Sequence, residues 1–97
     1  MGAHVRNLAM RFTIEQRHLT DPSGRPLPSA DHTGVSFHSL EADTADAAVR
    51  LFIIEDRGEV IGDILKFPGF QAVATIRKTS GVYTLQVTPT SSQHVVP

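Results

Sequence analysis

The chain has 97 residues, of which 40% are hydrophobic and 20% are charged, and its formal net charge is -1. These values are typical of one globular domain, and they exclude a disordered chain and a strongly basic nucleic-acid-binding protein. The absence of cysteine excludes a disulfide framework, a thiolate metal site and a cysteine nucleophile. Because a cysteine-free chain suits a reducing compartment, we expect a cytoplasmic protein.

Targeting and membrane signals are not found in the sequence. Residues 1–9 lack the apolar run of about 7 to 15 residues that a secretory signal requires, and no stretch reaches the roughly 20 apolar residues of a membrane span. We therefore expect a disordered arm over residues 1–9, one domain over residues 10–89 and a frayed tail over residues 90–97. No association with a membrane is expected.

The first strand and the loop after it are predicted from alternation and from proline. Residues 10–19 alternate, with Phe12 and Ile14 on one side and charged or polar residues on the other, which predicts a half-buried strand. Three prolines in residues 20–33 deny the backbone donors that a helix or sheet needs, so this segment is predicted to be a loop. A loop of this length is either a surface connection or a place where binding occurs.

Alternation resumes in residues 34–42 and predicts a second strand, antiparallel to the first. Val35 and Phe37 lie on the side of this strand opposite Ser36 and His38. In the antiparallel direction, this second strand would lie beside the first strand.

Residues 43–58 predict a helix with apolar side chains on two sides. One stripe contains Ala45, Ala48, Val49, Phe52 and Ile53; the other contains Ala47, Leu51 and Ile54. The first stripe can face the core, but the second needs another surface, and a second copy of the chain is the expected supplier. The predicted contact residues of a homodimer or larger homo-oligomer are therefore Leu51, Ile54 and Ala47.

The ends of this helix carry typical signals. Asp43 or Thr44 can supply the N-cap oxygen, and Gly58 is suited to a left-handed residue at the C-terminal end. An alternative interpretation remains open, because residues 51–64 can also form two strands around the Asp-Arg-Gly sequence at residues 56–58.

Three more strands are predicted after the helix. Residues 60–67 form a weak strand, and the Phe-Pro-Gly-Phe sequence at residues 67–70 predicts a loose corner and not a tight hairpin. Residues 71–78 and 82–88 predict a hairpin whose inner face is formed by six residues. These six are Ala72, Ala74, Ile76, Tyr83, Leu85 and Val87.

The elements follow the order β-β-α-β-β-β, which predicts a two-layer α+β fold with one helix packed on a mainly antiparallel sheet of four to five strands. Many unrelated functions use such folds, so the architecture does not define the activity. No catalytic or cofactor motif is found: no serine lies in a Gly-x-Ser-x-Gly elbow, and the glycines follow the helix where a phosphate cradle would precede it. An enzymatic role is therefore not favoured.

Histidine provides the remaining metal-binding option, and no pair has the short spacing typical of zinc ligands. His18, His32 and His38 could converge if the two first strands are neighbours, close to the loop at residues 20–33. The alternative function is thus a small ligand- or metal-binding protein with a pocket near that loop. A nucleic-acid partner is not expected, since the predicted outer sheet face has no stacking aromatic residues.

Overall fold

The computed structural model describes residues 9–27 and 34–90. In these residues the elements are β1 (Met10–Thr20), β2 (Val35–Ala42), α1 (Ala45–Asp56), β3 (Glu59–Phe67), β4 (Gln71–Lys78) and β5 (Gly81–Pro89). The strands form one sheet in the order β2-β1-β5-β4-β3, and every neighbouring pair is antiparallel. The predicted α+β fold with one helix on an antiparallel sheet is confirmed, and the sheet has five strands.

Three segments of the predicted domain organisation lie outside the described residues. They are residues 1–8 of the predicted arm, residues 28–33 of the predicted loop and residues 91–97 of the predicted tail. Thr90 is described, and its backbone N–H donates to the carbonyl of Arg11 at 2.9 Å.

The helix of the sequence analysis is confirmed, and the alternative hairpin over residues 51–64 is wrong. Thr44 is the N-cap: its Oγ1 accepts a hydrogen bond from the backbone N–H of Ala47 at 3.1 Å, which satisfies one of the free amides of the first turn. Arg57, and not Gly58, adopts the left-handed conformation after the last turn, with φ 57° and ψ 45°. A Cβ at Gly58 would make an ordinary van der Waals contact with Cδ1 of Ile76 on β4, at 3.4 Å.

The core lies between α1 and one face of the sheet. Its fully buried large side chains are those of Phe12, Ile14, Val49, Ile76, Leu85 and Val87. All six inner residues predicted for the last hairpin are buried, and the helix buries Ala45, Ala48, Val49 and Phe52 against them. Each large side chain removed from water in this way stabilises the fold by roughly 1.5 to 3 kcal/mol.

The connection between β3 and β4 corrects a prediction. Phe67 pairs with Gln71, so only three residues join the strands, and the loose corner expected at residues 67–70 is a short hairpin loop. Gly69 and Phe70 both have positive φ, 82° and 59°, which reverses the chain within three residues. The Pro-Gly pair at residues 68–69 favours a type II turn, whose twist suits a hairpin poorly, and that preference is the reason for the expected loose corner.

The orientation of β2 is also informative. Ala42 is buried and Leu40 packs against the core, so Ser36 and His38, which share their side of the strand, face α1. Phe37 consequently projects from the other face of the sheet and is 67% exposed. The predicted alternation is correct, but the polar pair faces inward and the apolar pair faces outward.

Candidate functional site

The outer side of α1 carries the residues predicted as an interface. Ile54 is 75% exposed and Leu51 is 44% exposed, on a helix whose opposite side is buried. Ala47 differs from them, because it is half-buried and packs against the core. Arg50 lies beside these residues and forms an ion pair with Asp46 at 3.4 Å, four residues earlier. The helix therefore presents a small apolar surface bordered by charge.

A second surface, which we call the open face, is the side of the sheet that α1 does not cover. Three large hydrophobic side chains project from it at the sheet edges: Phe37 on β2, and Leu65 and Phe67 on β3, with exposures of 67%, 54% and 48%. The sequence predicts a polar outer face without stacking aromatic residues, but Phe37 and Phe67 project from it. The orientation of β2 and the pairing of β3 place them there, and local alternation does not reveal either.

The charges of the open face are balanced. Arg11 forms an ion pair with Glu41 at 3.1 Å, and Arg17 forms one with Glu15 at 2.7 Å. Strand pairing also places Arg77 opposite Glu59. Each arginine on the described part of this face therefore has a glutamate beside it. Such a face lacks the clustered positive charge by which proteins attract nucleic acid.

His18 lies in a well-defined cluster on the opposite, α1-bearing face. Its ring stacks on Tyr83 with 4.1 Å between centroids and an interplanar angle of 9°, and its Nε2 lies 3.0 Å from the carbonyl oxygen of Ser80. The Lys78 ammonium lies 4.3 Å from the centre of the Tyr83 ring and forms an ion pair with Asp56. These contacts join β1, the turn before β5 and the end of α1.

His38 forms a separate group. Its Nε2 is 3.0 Å from Oγ of Ser36, and the Gln16 side-chain amide donates to the same hydroxyl at 3.3 Å. The His38 ring also contacts Phe52 on α1, with centroids 4.9 Å apart. A serine hydroxyl within hydrogen-bond distance of an imidazole is the first requirement of an activated nucleophile. Within the described residues, however, no side chain accepts a hydrogen bond from the other ring nitrogen of His38.

Gln16 was not identified by the sequence analysis. It is 8% exposed, and its Oε1 has no hydrogen-bond partner. A buried acceptor without a donor costs about 1 to 3 kcal/mol, so this oxygen marks a position where a bound donor would be stabilising. The signal was present in the sequence, because Phe12, Ile14 and Gln16 occupy the same side of one alternating strand.

The structure does not assemble the predicted histidine metal site from the residues it describes. His18 pairs with Tyr83 and His38 with Ile14, which separates the two histidines by about 13 Å along the strands. His32 lies outside the described residues. Over residues 9–27 and 34–90, no three histidine, aspartate or glutamate side chains are grouped so that they could hold a metal ion.

The loop predicted over residues 20–33 contains an ordered turn in its first part. The Asp21 carboxylate accepts hydrogen bonds from the backbone N–H of Ser23 at 2.9 Å and of Arg25 at 3.0 Å, and from the Ser23 hydroxyl at 2.7 Å. The chain then returns to β1, where Leu27 donates to the carbonyl of Leu19 at 2.9 Å. The hydrogen bond from the Ser23 hydroxyl, together with those from the backbone amides, holds the pKa of Asp21 below its ordinary value.

A cleft of about 380 Å³ lies at the N-terminal end of α1. It is bounded by Thr44 and Asp46 on the helix side, by Phe67 at the end of β3 and by Phe70 in the loop between β3 and β4. Phe70 is 59% exposed. The cleft is open and mostly apolar, and it extends the exposed hydrophobic surface of this end of the molecule.

Comparison of the chain with protein-family models, with curated proteins and with solved structures finds no match. The helix in the described part of the chain is too short to cross a membrane.

Proposed function

We propose that the protein is a non-enzymatic interaction module that acts as a homodimer or larger homo-oligomer. The observation that carries this proposal is the exposure of Ile54, at 75%, together with Leu51 at 44%, on the outer side of the only helix in the described residues. Burying each of these side chains against a partner would stabilise the complex by roughly 1.5 to 3 kcal/mol. The contact we propose is formed by Leu51 and Ile54 and is bordered by Ala47.

The surroundings of these side chains support an interface. Interfaces combine an apolar centre with a polar rim, and here the rim includes the ion pair between Arg50 and Asp46 and the exposed Glu55. The cytoplasmic location expected from the cysteine-free composition is part of the same proposal.

Light scattering of the full chain tests the proposal. The wild-type protein is expected to have a mass above that of one chain, and Leu51→Glu should lower the mass while leaving the circular dichroism spectrum unchanged. Thr79→Glu is the matched control, because it adds the same charge at an exposed position of the turn between β4 and β5, outside the proposed contact, and should leave the mass unchanged. A wild-type protein that is monomeric throughout the micromolar range would contradict self-association.

A second candidate function is favoured by one observation, the unpartnered Oε1 of the buried Gln16 beside Ser36. A small ligand with a hydrogen-bond donor could bind there, next to the His38 ring. A ligand that binds only the folded state must raise the melting temperature. Melting with zinc, nickel, nucleotides and common metabolites, repeated on Gln16→Leu, tests this function. Absence of any shift in the wild-type protein would refute it for these ligands.

A further inference from the structure

The pairing of the strands places five residues of the open face in one row across the sheet. Phe37 on β2 pairs with Glu15 on β1, which pairs with Gln86 on β5. Gln86 pairs with Val73 on β4, and Val73 pairs with Leu65 on β3. The row therefore has an exposed large hydrophobic side chain at each end, with Glu15, Gln86 and the half-buried Val73 between them, and its ends are about 19 Å apart.

The neighbouring row repeats this arrangement. Val35 on β2 and Ile61 on β3 occupy its two ends, and Arg17, Thr84 and Thr75 lie between them. Large apolar side chains thus follow both edges of the open face, while its centre carries threonine, glutamine, paired charges and the smaller side chains of Val73 and Val82.

This arrangement is self-complementary. If a second copy is placed on the open face by a two-fold axis parallel to the strands, the β2 edge of each copy lies over the β3 edge of the other. Phe37 of each copy then faces Leu65 of the other, and the contact occurs twice, as a two-fold interface requires. Sheets pack face to face at about 10 Å, which leaves room for these side chains to interdigitate.

Charge and area favour a second copy as the occupant. The arginines of the face are matched by glutamates, so two identical faces carry no net repulsion. Five strands of about eight residues cover on the order of 600 Å², which approaches the roughly 800 Å² that each partner contributes to a standard interface. The two aliphatic side chains of α1 cover far less area by themselves.

We infer that the open face joins two copies of the chain, sheet against sheet, with Phe37 of each copy packed on Leu65 of the other. This inference rests on the proposed self-association and adds a specific contact to it. The residues on α1 then form a second contact on the outside of the sheet-to-sheet dimer, through which such dimers join into the larger homo-oligomer.

The test compares dimer dissociation constants of the full chain by sedimentation, for wild type and three variants. Phe37→Glu and Leu65→Lys should each weaken the dimer by about tenfold or more, because each places a charge against an apolar side chain twice per dimer. The double variant F37E/L65K should recover most of that loss, since the introduced carboxylate and ammonium face each other across the interface. They cannot meet within one chain, where about 19 Å separates them, beyond the Debye length of about 8 Å.

The possible outcomes are separable. A monomeric wild type refutes both the proposed function and this inference. A self-associating wild type whose dissociation constant changes less than about twofold in both single variants refutes the inference and leaves self-association through α1 standing. Weakening without recovery in the double variant contradicts the pairing of Phe37 with Leu65. Weakening with recovery supports it, provided that each variant keeps the wild-type circular dichroism spectrum.

Discussion

Gly81→Ala should destabilise the fold more than any other single methyl addition at the glycines of the described residues. Gly81 begins β5 at φ 134°, and a Cβ there would lie 1.9 Å from the carbonyl oxygen of Thr20 and 2.8 Å from Nε2 of His18. Neither atom can move independently. The carbonyl oxygen of Thr20 belongs to the backbone of β1, and the His18 ring is held by its hydrogen bond with the carbonyl oxygen of Ser80 at 3.0 Å. The start of β5 must therefore move away from β1.

The free energy of unfolding lost in Gly81→Ala has two contributions, backbone strain at residue 81 and the hydrogen bonds that break when β5 moves. A non-glycine residue in such a conformation costs about 1 to 3 kcal/mol, and losing the bonds at His18 and at the amide of Val82 adds about 1 kcal/mol each. We expect a loss of about 3 to 5 kcal/mol, which for a domain of this size lowers the melting temperature by roughly 12 to 40 °C. Since domains of this kind have about 5 to 15 kcal/mol of stability, the variant should still fold at low temperature.

Differential scanning calorimetry measures the effect, and Gly24→Ala is the matched control. Gly24 also has a positive φ, 91°, but no atom lies within 4 Å of the Cβ position, so only the backbone strain applies. Gly24→Ala should therefore cost about 1 to 2 kcal/mol. If the two variants melted at the same temperature, the close approach of β5 to β1 would be refuted.

Two further predictions concern the core and the turn after β1. Phe52 is 4% exposed between α1 and the sheet, so Phe52→Ala should lower the free energy of unfolding in urea by about 3 to 5 kcal/mol; a loss below about 1 kcal/mol would show that α1 does not pack as described. For Asp21, the folded-state pKa lies below the ordinary 3.8, so its stabilising effect is present above that value and is lost as the pH falls through the folded pKa. An NMR titration of the Asp21 carboxyl group should give a midpoint below pH 3.8. A midpoint at 3.8 would show that the hydrogen bonds from Ser23 are absent in solution.

The elements that sequence reasoning predicted well are those with strong local signals. The inner face of β4 and β5 follows from strict alternation around a short turn, and the helix follows from the Thr44 cap and the alanines of its first turns. Each of these signals involves residues only a few positions apart in the chain, so it can be recognised from the sequence without knowledge of the fold.

The features that were missed depend on residues distant in the chain. The polar side of β2 faces inward because Ala42 and Leu40 pack under α1, although Phe37 gives the stronger local signal. The order of strands, which places β5 between β1 and β4, brings Phe37 and Leu65 to opposite ends of one row. No local pattern encodes that relationship, so the open face could be recognised only from the pairing.

Gln16 is an intermediate case. Its position on the inner side of β1 is predicted by alternation, but whether its Oε1 finds a donor depends on the strands and helix around it. A glutamine at a core position of a strand therefore indicates a possible binding position, because burying its amide without a hydrogen-bond partner costs free energy.

Self-association of the wild-type chain can be measured by sedimentation equilibrium without any substitution. We expect a particle mass that exceeds the 10.6 kDa of one chain and rises with concentration through the micromolar range. A mass of 10.6 kDa at every concentration would show that Ile54 and Phe37 both stay exposed to solvent, and it would refute the proposed homo-oligomer.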